Sequence, residues 1–495
     1  MTLIKNGTVV DGSGKPAYVG DVLVEGDRIA DIIRGAESAE IEPDEIVDAS
    51  GKLVTPGFID AHAHSDAYLV LEGDAPSKIT QGITTEINGQ CGGSIAPRYG
   101  EARLSSDWAA VLGDRLCWRT LGEYREILAA SRCAVNTVQF IGHNTIRSSV
   151  IGYAAKKADA DDMRAMVAHL ERAMDEGGWG LSTGLVYPPG KYSTPEEVRA
   201  LASVCAAKGG LYSTHMRSEG DRLLESIDEV IELAQATGIK AEISHFKTSG
   251  RENWGKLEPA IAKIESAIER GLLLGSDRYP YCAAGTDLDI VLDDDGSLPE
   301  RDWSSVMIGG TWHPESRRYS GRFVSDVCAE EKTDLEEFIF RILKLDGNKT
   351  GGFFFGMSED NLTRILSLDW VVPGSDASLR APWGPLGTDH PHPRAYATMS
   401  EFYRRVRSIG ISREDAIARM TSVPADRFGI ARRGRIAKGM YADIVIWDEE
   451  NFRARSTFDD PHRFCEGVSA VMVNGGIVYA DGKFTGQRSG RFLER

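Results

Sequence analysis

The chain has 495 residues, of which 42% are hydrophobic and 26% charged, a mixture that supports a sizeable buried core and excludes extensive disorder. Its formal net charge of −17 excludes the basic footprint that binding to a phosphate backbone requires, so no nucleic-acid partner is expected. No stretch reaches the ~20 continuous apolar residues of a membrane span, and the N-terminus lacks a basic segment followed by an apolar run, so a cytoplasmic protein without a membrane partner is expected.

The first fifty-odd residues are short strands joined by tight turns, LIKNGTVV, DVLVEGDRIADI and KLVTPG, with Asn6-Gly7 and Gly26-Asp27 at the corners. Apolar runs then alternate with helical stretches, as in VNTVQFIGH, DADDMRAMVAHLERAMDEG, GLSTG, TPEEVRALASVCAAKG and LYSTHM. Ser193-Thr194-Pro195-Glu196-Glu197 marks a helix start, with a cap, a proline in the first turn and acids behind it. Strand and helix in alternation imply a parallel sheet, and about eight such units over ~370 residues favour an α/β protein with a TIM-like (β/α)8 barrel. Near the far end the strand-and-turn texture returns in GRIAKGMYADIVIWD and AVMVNGGIVYADGKF. Both chain ends are expected to form one small β-sandwich, dividing the chain into 1–56, 57–428 and 429–495.

In a (β/α)8 barrel the chemistry sits where strands end. LVTPGFIDAHAHSD ends an apolar strand in His62 and His64, and residues two apart on a strand face the same side, so both imidazoles can meet one ion. GLYSTHMRSEG ends in the same way at His215, and IKAEISHFKTSG at His245. Cys91 lies in a glycine-rich turn of GITTEINGQCGGSIAP, and Asp376 follows the strand of LDWVVPGSDA. Taken alone, a His-x-His pair is as often a polar rim, and a lone cysteine is most often a buried spectator; the recurrence at successive strand ends favours ligands. Sulfur, imidazole and carboxylate donors suit zinc, which activates water and polarises a carbonyl, leaving Asp376 to move the proton. His143, ending VQFIGH, is a possible donor behind the ligands, while His390 and His392 frame Arg394. His169, His313 and His462 have no such placement. The seven cysteines are odd in number and scattered, unlike a disulfide framework.

PGFIDAHAHSD, GQCGGSIAP, GLSTGLVYPPG, STHMRSEG, ISHFK, RYPY, GSDA, HPHPRAY and GRIAKGMYADIVIWD together resemble the N-acyl-D-amino-acid deacylase (D-aminoacylase) family of the amidohydrolase superfamily, over nearly the whole chain. The resemblance implies zinc-dependent hydrolysis of the amide of N-acyl-D-amino acids. It implies that Cys91, His215 and His245 hold the tight zinc, that His62, His64 and Asp376 line a second, weaker position, and that Asp376 is the acid and base. It further implies that Arg394 and Lys247 grip the substrate carboxylate and that Tyr187 and Tyr279 line the pocket. The histidine pair that spacing alone makes the principal ligands thus moves to the edge of the site.

Some features depart from the family pattern. Asp287 to Trp303 is shorter than the region where a long lid is usual, which would open the pocket to larger acyl groups. The stretch from Asp376 to Arg394 is longer than expected, making Arg380, Trp383 and Asp389 candidates to reshape the pocket, and Glu86 stands where an apolar residue is more usual. Alternative readings are hydrolysis of a cyclic imide or of a peptide ending in a D-residue, or an inactive binding scaffold. The acyl group, the side chain and the oligomeric state are left open.

Overall fold

The computed structural model describes residues 1–34, 41–103, 112–292 and 296–495. Eight parallel strands form the central barrel: Phe58–Asp60, Ile83–Asn88, Asn136–Gln139 continued by Ile141–Gly142, Gly180–Gly184, Leu211–His215, Lys240–Ile243, Leu274–Arg278 and Val371–Pro373. The third strand breaks at Phe140, whose N–H bonds to Asn88 O at 2.9 Å. At the seam between the first and eighth strands, Ala61 N–H bonds to Pro373 O at 3.2 Å and Asp376 N–H to His62 O at 2.8 Å, with a further bridge between Ala63 and Ala377.

Helices cover the outside. Pro195–Ala207 starts where the sequence places it, with Thr194 accepting from Glu197 N–H and Pro195 in the first turn. Ala160–Asp175 is closed by a capping box between Asp159 and Asp162. Met166, Leu170 and Leu201 from these helices, Ile227 from Leu223–Thr237, and Ile261 and Ile264 from Leu257–Glu269 join the same core and are all within 1% of full burial, each such side chain stabilising by about 1.5–3 kcal/mol. No described helix is long and apolar enough to cross a membrane.

The two chain ends meet in one nine-stranded sheet, joined where Leu53–Pro56 pairs antiparallel with Ile444–Trp447. Val9, Val22, Ile29, Val54, Ile444 and Met472 form its core. The hairpin at Asn474 and Gly475 has positive φ at both residues, 47° and 79°, the backbone that Asn-Gly favours. A Cβ on Gly475 would stand 1.9 Å from Gly26 O. The last residues return to the third barrel strand, with Leu493 N–H on Thr137 O and Gly490 N–H on Cys133 O, both at 2.8 Å.

An insertion separates the seventh and eighth barrel strands. Its antiparallel sheet joins Ala284–Asp287, Gly351–Phe354 and Val306–Ile308, and the helices Val324–Glu331 and Leu335–Asp346 cover it. Leu288, Trp303, Ile308, Val327, Phe338 and Ile342 give it a core of its own. This corrects the expectation of a shortened lid: Asp287 to Trp303 is only the beginning of the insertion. The strand that pairs with Ala284–Asp287 lies more than sixty residues later, beyond the reach of a reading based on local pattern.

Candidate metal centre

The six strand-end residues converge at the C-terminal mouth of the barrel, over a cleft of about 1150 Å³. Cys91 Sγ lies 3.3 Å from His62 Nε2 and 3.4 Å from His245 Nε2. Asp376 Oδ1 is 3.1 Å from His64 Nε2 and 3.4 Å from His62 Nε2. One ligand atom from each of His62, Cys91, His245 and Asp376 falls within 4.8 Å of the others, and His215, Glu219 and His245 form a second such group. Thiolate, imidazole and carboxylate converging in a buried cluster fit a divalent ion of borderline softness.

Three of these residues have left-handed backbone: Cys91 at φ 53°, His245 at 38° and Asp376 at 50°. Such conformations cost of order 1–3 kcal/mol each unless the surroundings impose them. Next to Cys91, Gly92 at φ 76° admits no side chain, because a Cβ would stand 2.5 Å from Gly184 N. Tight packing of the second-strand loop against the fourth strand thus fixes where the thiol points.

Electrostatics separate Cys91 from the other buried thiols. Burial pushes Cys133, Cys205 and Cys465 up to about 12. Burial acts the same way on Cys91, but His62 and His245 outweigh it and hold its thiol well below the ordinary range. Burial also opposes ionisation of Asp376, and the Arg394 guanidinium with His245 and His64 reverses this, keeping the carboxyl well below the usual value. For His245, burial and Lys247 oppose the charge, while Glu219, Asp376 and Cys91 raise it to about 10.

Two carboxylates that the sequence reading missed hold the imidazoles. Asp277 Oδ2 lies 3.0 Å from His62 Nδ1, and its Oδ1 accepts the backbone N–H of His245 at 2.9 Å. Glu219 Oε1 lies 2.8 Å from His245 Nδ1 and its Oε2 3.6 Å from His215 Nε2. Carboxylates placed behind histidines in this way fix the tautomer and orientation of a ligand. Asp277 was open to discovery, since it ends an apolar run as Asp376 does.

The expected pocket residues also lie on the cleft. Arg394 Nη1 bonds to Asp376 Oδ2 at 2.8 Å, and its guanidinium carbon sits 4.6 Å from the Tyr279 ring centre. The Tyr279 hydroxyl is buried without a hydrogen-bond partner among the described residues. Tyr187 OH is 3.3 Å from His215 Nδ1. Lys247 Nζ is engaged by Glu219 and lies 2.8 Å from His245 Nδ1, so its ammonium is shared with the ligand cluster. His392 Nδ1 accepts the backbone N–H of Arg394 at 3.0 Å.

The structure does not bring His143 to the site: its Nε2 pairs with Glu197 at 2.8 Å, in a buried cluster with Arg147. Arg380 and Asp389 line the cleft as an ion pair at 2.9 Å, whereas Trp383 turns outward onto Phe464 and Phe484. Glu86 is the buried partner of Lys78, at 2.9 Å, which accounts for an acid at that position.

The barrel, the mixed-donor cluster and the ion-paired aspartate match an established group of hydrolases. The family model described as "Amidohydrolase family" matches residues 45–270 and 360–479, leaving out most of the insertion, and the chain belongs to that family. Within it, the chain is similar to a D-aminoacylase of Alcaligenes xylosoxydans xylosoxydans, 33% identical over 100% of this chain and 97% of the relative. A D-aminoacylase structure with a binuclear metal centre, described in terms of one-metal activation and second-metal attenuation, is 33% identical with a TM-score of 0.88, covering 100% of this chain and 99% of that one. The N-acyl-D-glutamate deacylase of Bordetella bronchiseptica, solved with zinc and a phosphonate mimic of the tetrahedral intermediate, is 32% identical, with the same TM-score and coverage.

Proposed function

We propose that this chain is a zinc-dependent hydrolase of N-acyl-D-amino acids, releasing a D-amino acid and a carboxylic acid. The observation that carries the reading is the convergence of Cys91, His215 and His245 on one cleft with the Arg394–Asp376 pair. Cys91, His215 and His245 hold the principal ion, and His62, His64 and Asp376 line a second, weaker position. Zinc supplies Lewis-acid polarisation of the amide carbonyl and lowers the pKa of water.

The side chains do the rest. Asp376 accepts the proton of the attacking water and delivers it to the leaving nitrogen as the C–N bond breaks. Arg394 presents a planar fork of donors suited to the free carboxylate beside the scissile amide, with Tyr279 beneath it and Lys247 nearby. Tyr187, directed at His215, bounds the other side of the reacting centre.

Paired D- and L-N-acyl amino acids, assayed with and without a chelator, test the reading. Turnover confined to the D-series, abolished by chelation and restored by zinc, is expected. Equal rates on both enantiomers remove the stereochemical claim, and chelator-insensitive turnover removes the metal.

A further inference from the structure

Beside the cleft lies a buried charge cluster that the proposed reaction does not use. Lys78 sits on the short helix Pro76–Ile79 and is fully buried. Its Nζ reaches four acceptors: Asp60 Oδ2 and Glu86 Oε1, each at 2.9 Å, and Ser375 Oγ and Ala377 O, each at 3.0 Å. These acceptors come from the first and second strands and from the segment just after the eighth, so one ammonium spans the seam between the first and eighth strands.

The contacts of this cluster all flank the same three site residues. Asp60 Oδ1 accepts the backbone N–H of Ser375 at 2.7 Å and of His62 at 3.3 Å, and Ser375 Oγ donates to Asp60 Oδ2 at 2.6 Å. Ser65, next to His64, donates to Glu86 Oε1 at 2.7 Å and accepts Leu379 N–H at 2.9 Å. Every backbone segment that carries His62, His64 or Asp376 is therefore tied to Lys78 directly or through one carboxylate. His215 and His245 are braced instead by Glu219, and His245 also by Asp277, which reaches the His62 ring as well, while the Cys91 loop is held by Gly92 N–H on Ser182 Oγ at 3.2 Å. A buried ammonium with two carboxylates is costly to desolvate and is offset only by close, well-aligned contacts; Glu86 Oε2 has no partner among the described residues, so the four bonds of the Lys78 ammonium are what hold these segments in one arrangement.

We infer that Lys78 is a positioning residue that sets the separation between the His62–His64 pair and Asp376. It thereby governs the weaker metal position and the proton-transfer geometry, while the principal metal position stands without it. The inference rests on the reading of the site given under Proposed function.

The test is calorimetric titration of zinc into metal-free full-length protein, parent against Lys78→Met, with kcat and KM on an N-acyl-D-amino acid alongside. The first zinc equivalent is expected to bind within about threefold of the parent and the second about tenfold or more weaker, the scale of losing support behind a metal ligand. The same loss of support is expected to lower kcat about tenfold with KM within about threefold. Parallel weakening of both equivalents, or an unchanged second equivalent, overturns the inference; so does a parent that takes up one equivalent with an affinity Lys78→Met leaves untouched. Should Lys78→Met not fold, Lys78→Met/Asp60→Asn removes one charge of each sign and keeps the Oδ1 acceptor. It is expected to show the same split, and its absence counts against Lys78. Zinc binding needs no substrate, so a parent inactive on the D-series defeats the proposed substrate and leaves this measurement intact.

Discussion

The barrel and the insertion between its seventh and eighth strands border the same cleft in different ways. Barrel strand ends supply every candidate ligand together with Asp277 behind them, all buried or nearly so. The insertion supplies walls, among them Trp312, Lys349 and Phe353, from a sheet with its own hydrophobic core. Chemistry demands fixed separations, which a barrel with left-handed backbone at three candidate ligands provides. Selection among substrates needs only a shaped surface, which an appended layer can supply and vary without moving a ligand.

Substitutions sharpen this contrast. Asp376→Ala is expected to lower kcat by about a hundredfold or more while metal analysis finds zinc still bound; a rate close to the parent's would remove Asp376 from proton transfer. Asp277→Asn, behind His62 and His245, is expected to weaken zinc binding by about 10–100-fold, read by titration with a competing chelator. In the insertion, Phe338→Ala empties a fully buried site and is expected to cost about 3–5 kcal/mol, seen as early local unfolding by hydrogen exchange over 303–354 with zinc content unchanged. Loss of zinc in that variant would make insertion and barrel one cooperative unit. Trp312→Ala is expected to change relative kcat/KM between substrates with large and small acyl groups by about tenfold, with kcat on the best substrate nearly constant. A loss of kcat on every substrate would place Trp312 with the chemistry.

The legible part of this molecule is the part written at short range. An apolar run ending in a histidine displays both the strand and the direction of its side chain, which is why His62, His64, His215, His245 and Asp376 could be read and do converge. Glu219 could not: it is one of 74 acidic residues, lies four residues past His215 in what reads as a solvated turn, and acquires its role only when His245 arrives from the next strand. Lys78 carries no local signal of its role, which appears only when the segment after the eighth strand brings Ser375 and Ala377 to its ammonium. Trp383 looked available to the pocket because the stretch from Asp376 to Arg394 is longer than expected, but Phe464 and Phe484 offer it apolar neighbours. His143 carried the same strand-end signal as the ligands and was taken instead by Glu197, on the helix after the fourth strand.

The antiparallel join between the two chain ends also imposes a timetable. Thr55 receives the indole N–H of Trp447 across 392 residues of sequence, and Asn136 receives the side-chain N–H of Asn474 across 338. At roughly 5–20 residues per second of synthesis, the first strands can pair with one another early, but the outer edge of Leu53–Pro56 waits on the order of 20–80 seconds for Ile444–Trp447. The barrel can gather its helices as they emerge, but the sheet that braces it forms last. Long-range pairing of this kind slows folding, so crowded, rapid expression should tax this protein at its N-terminal strands well before it tests the metal site.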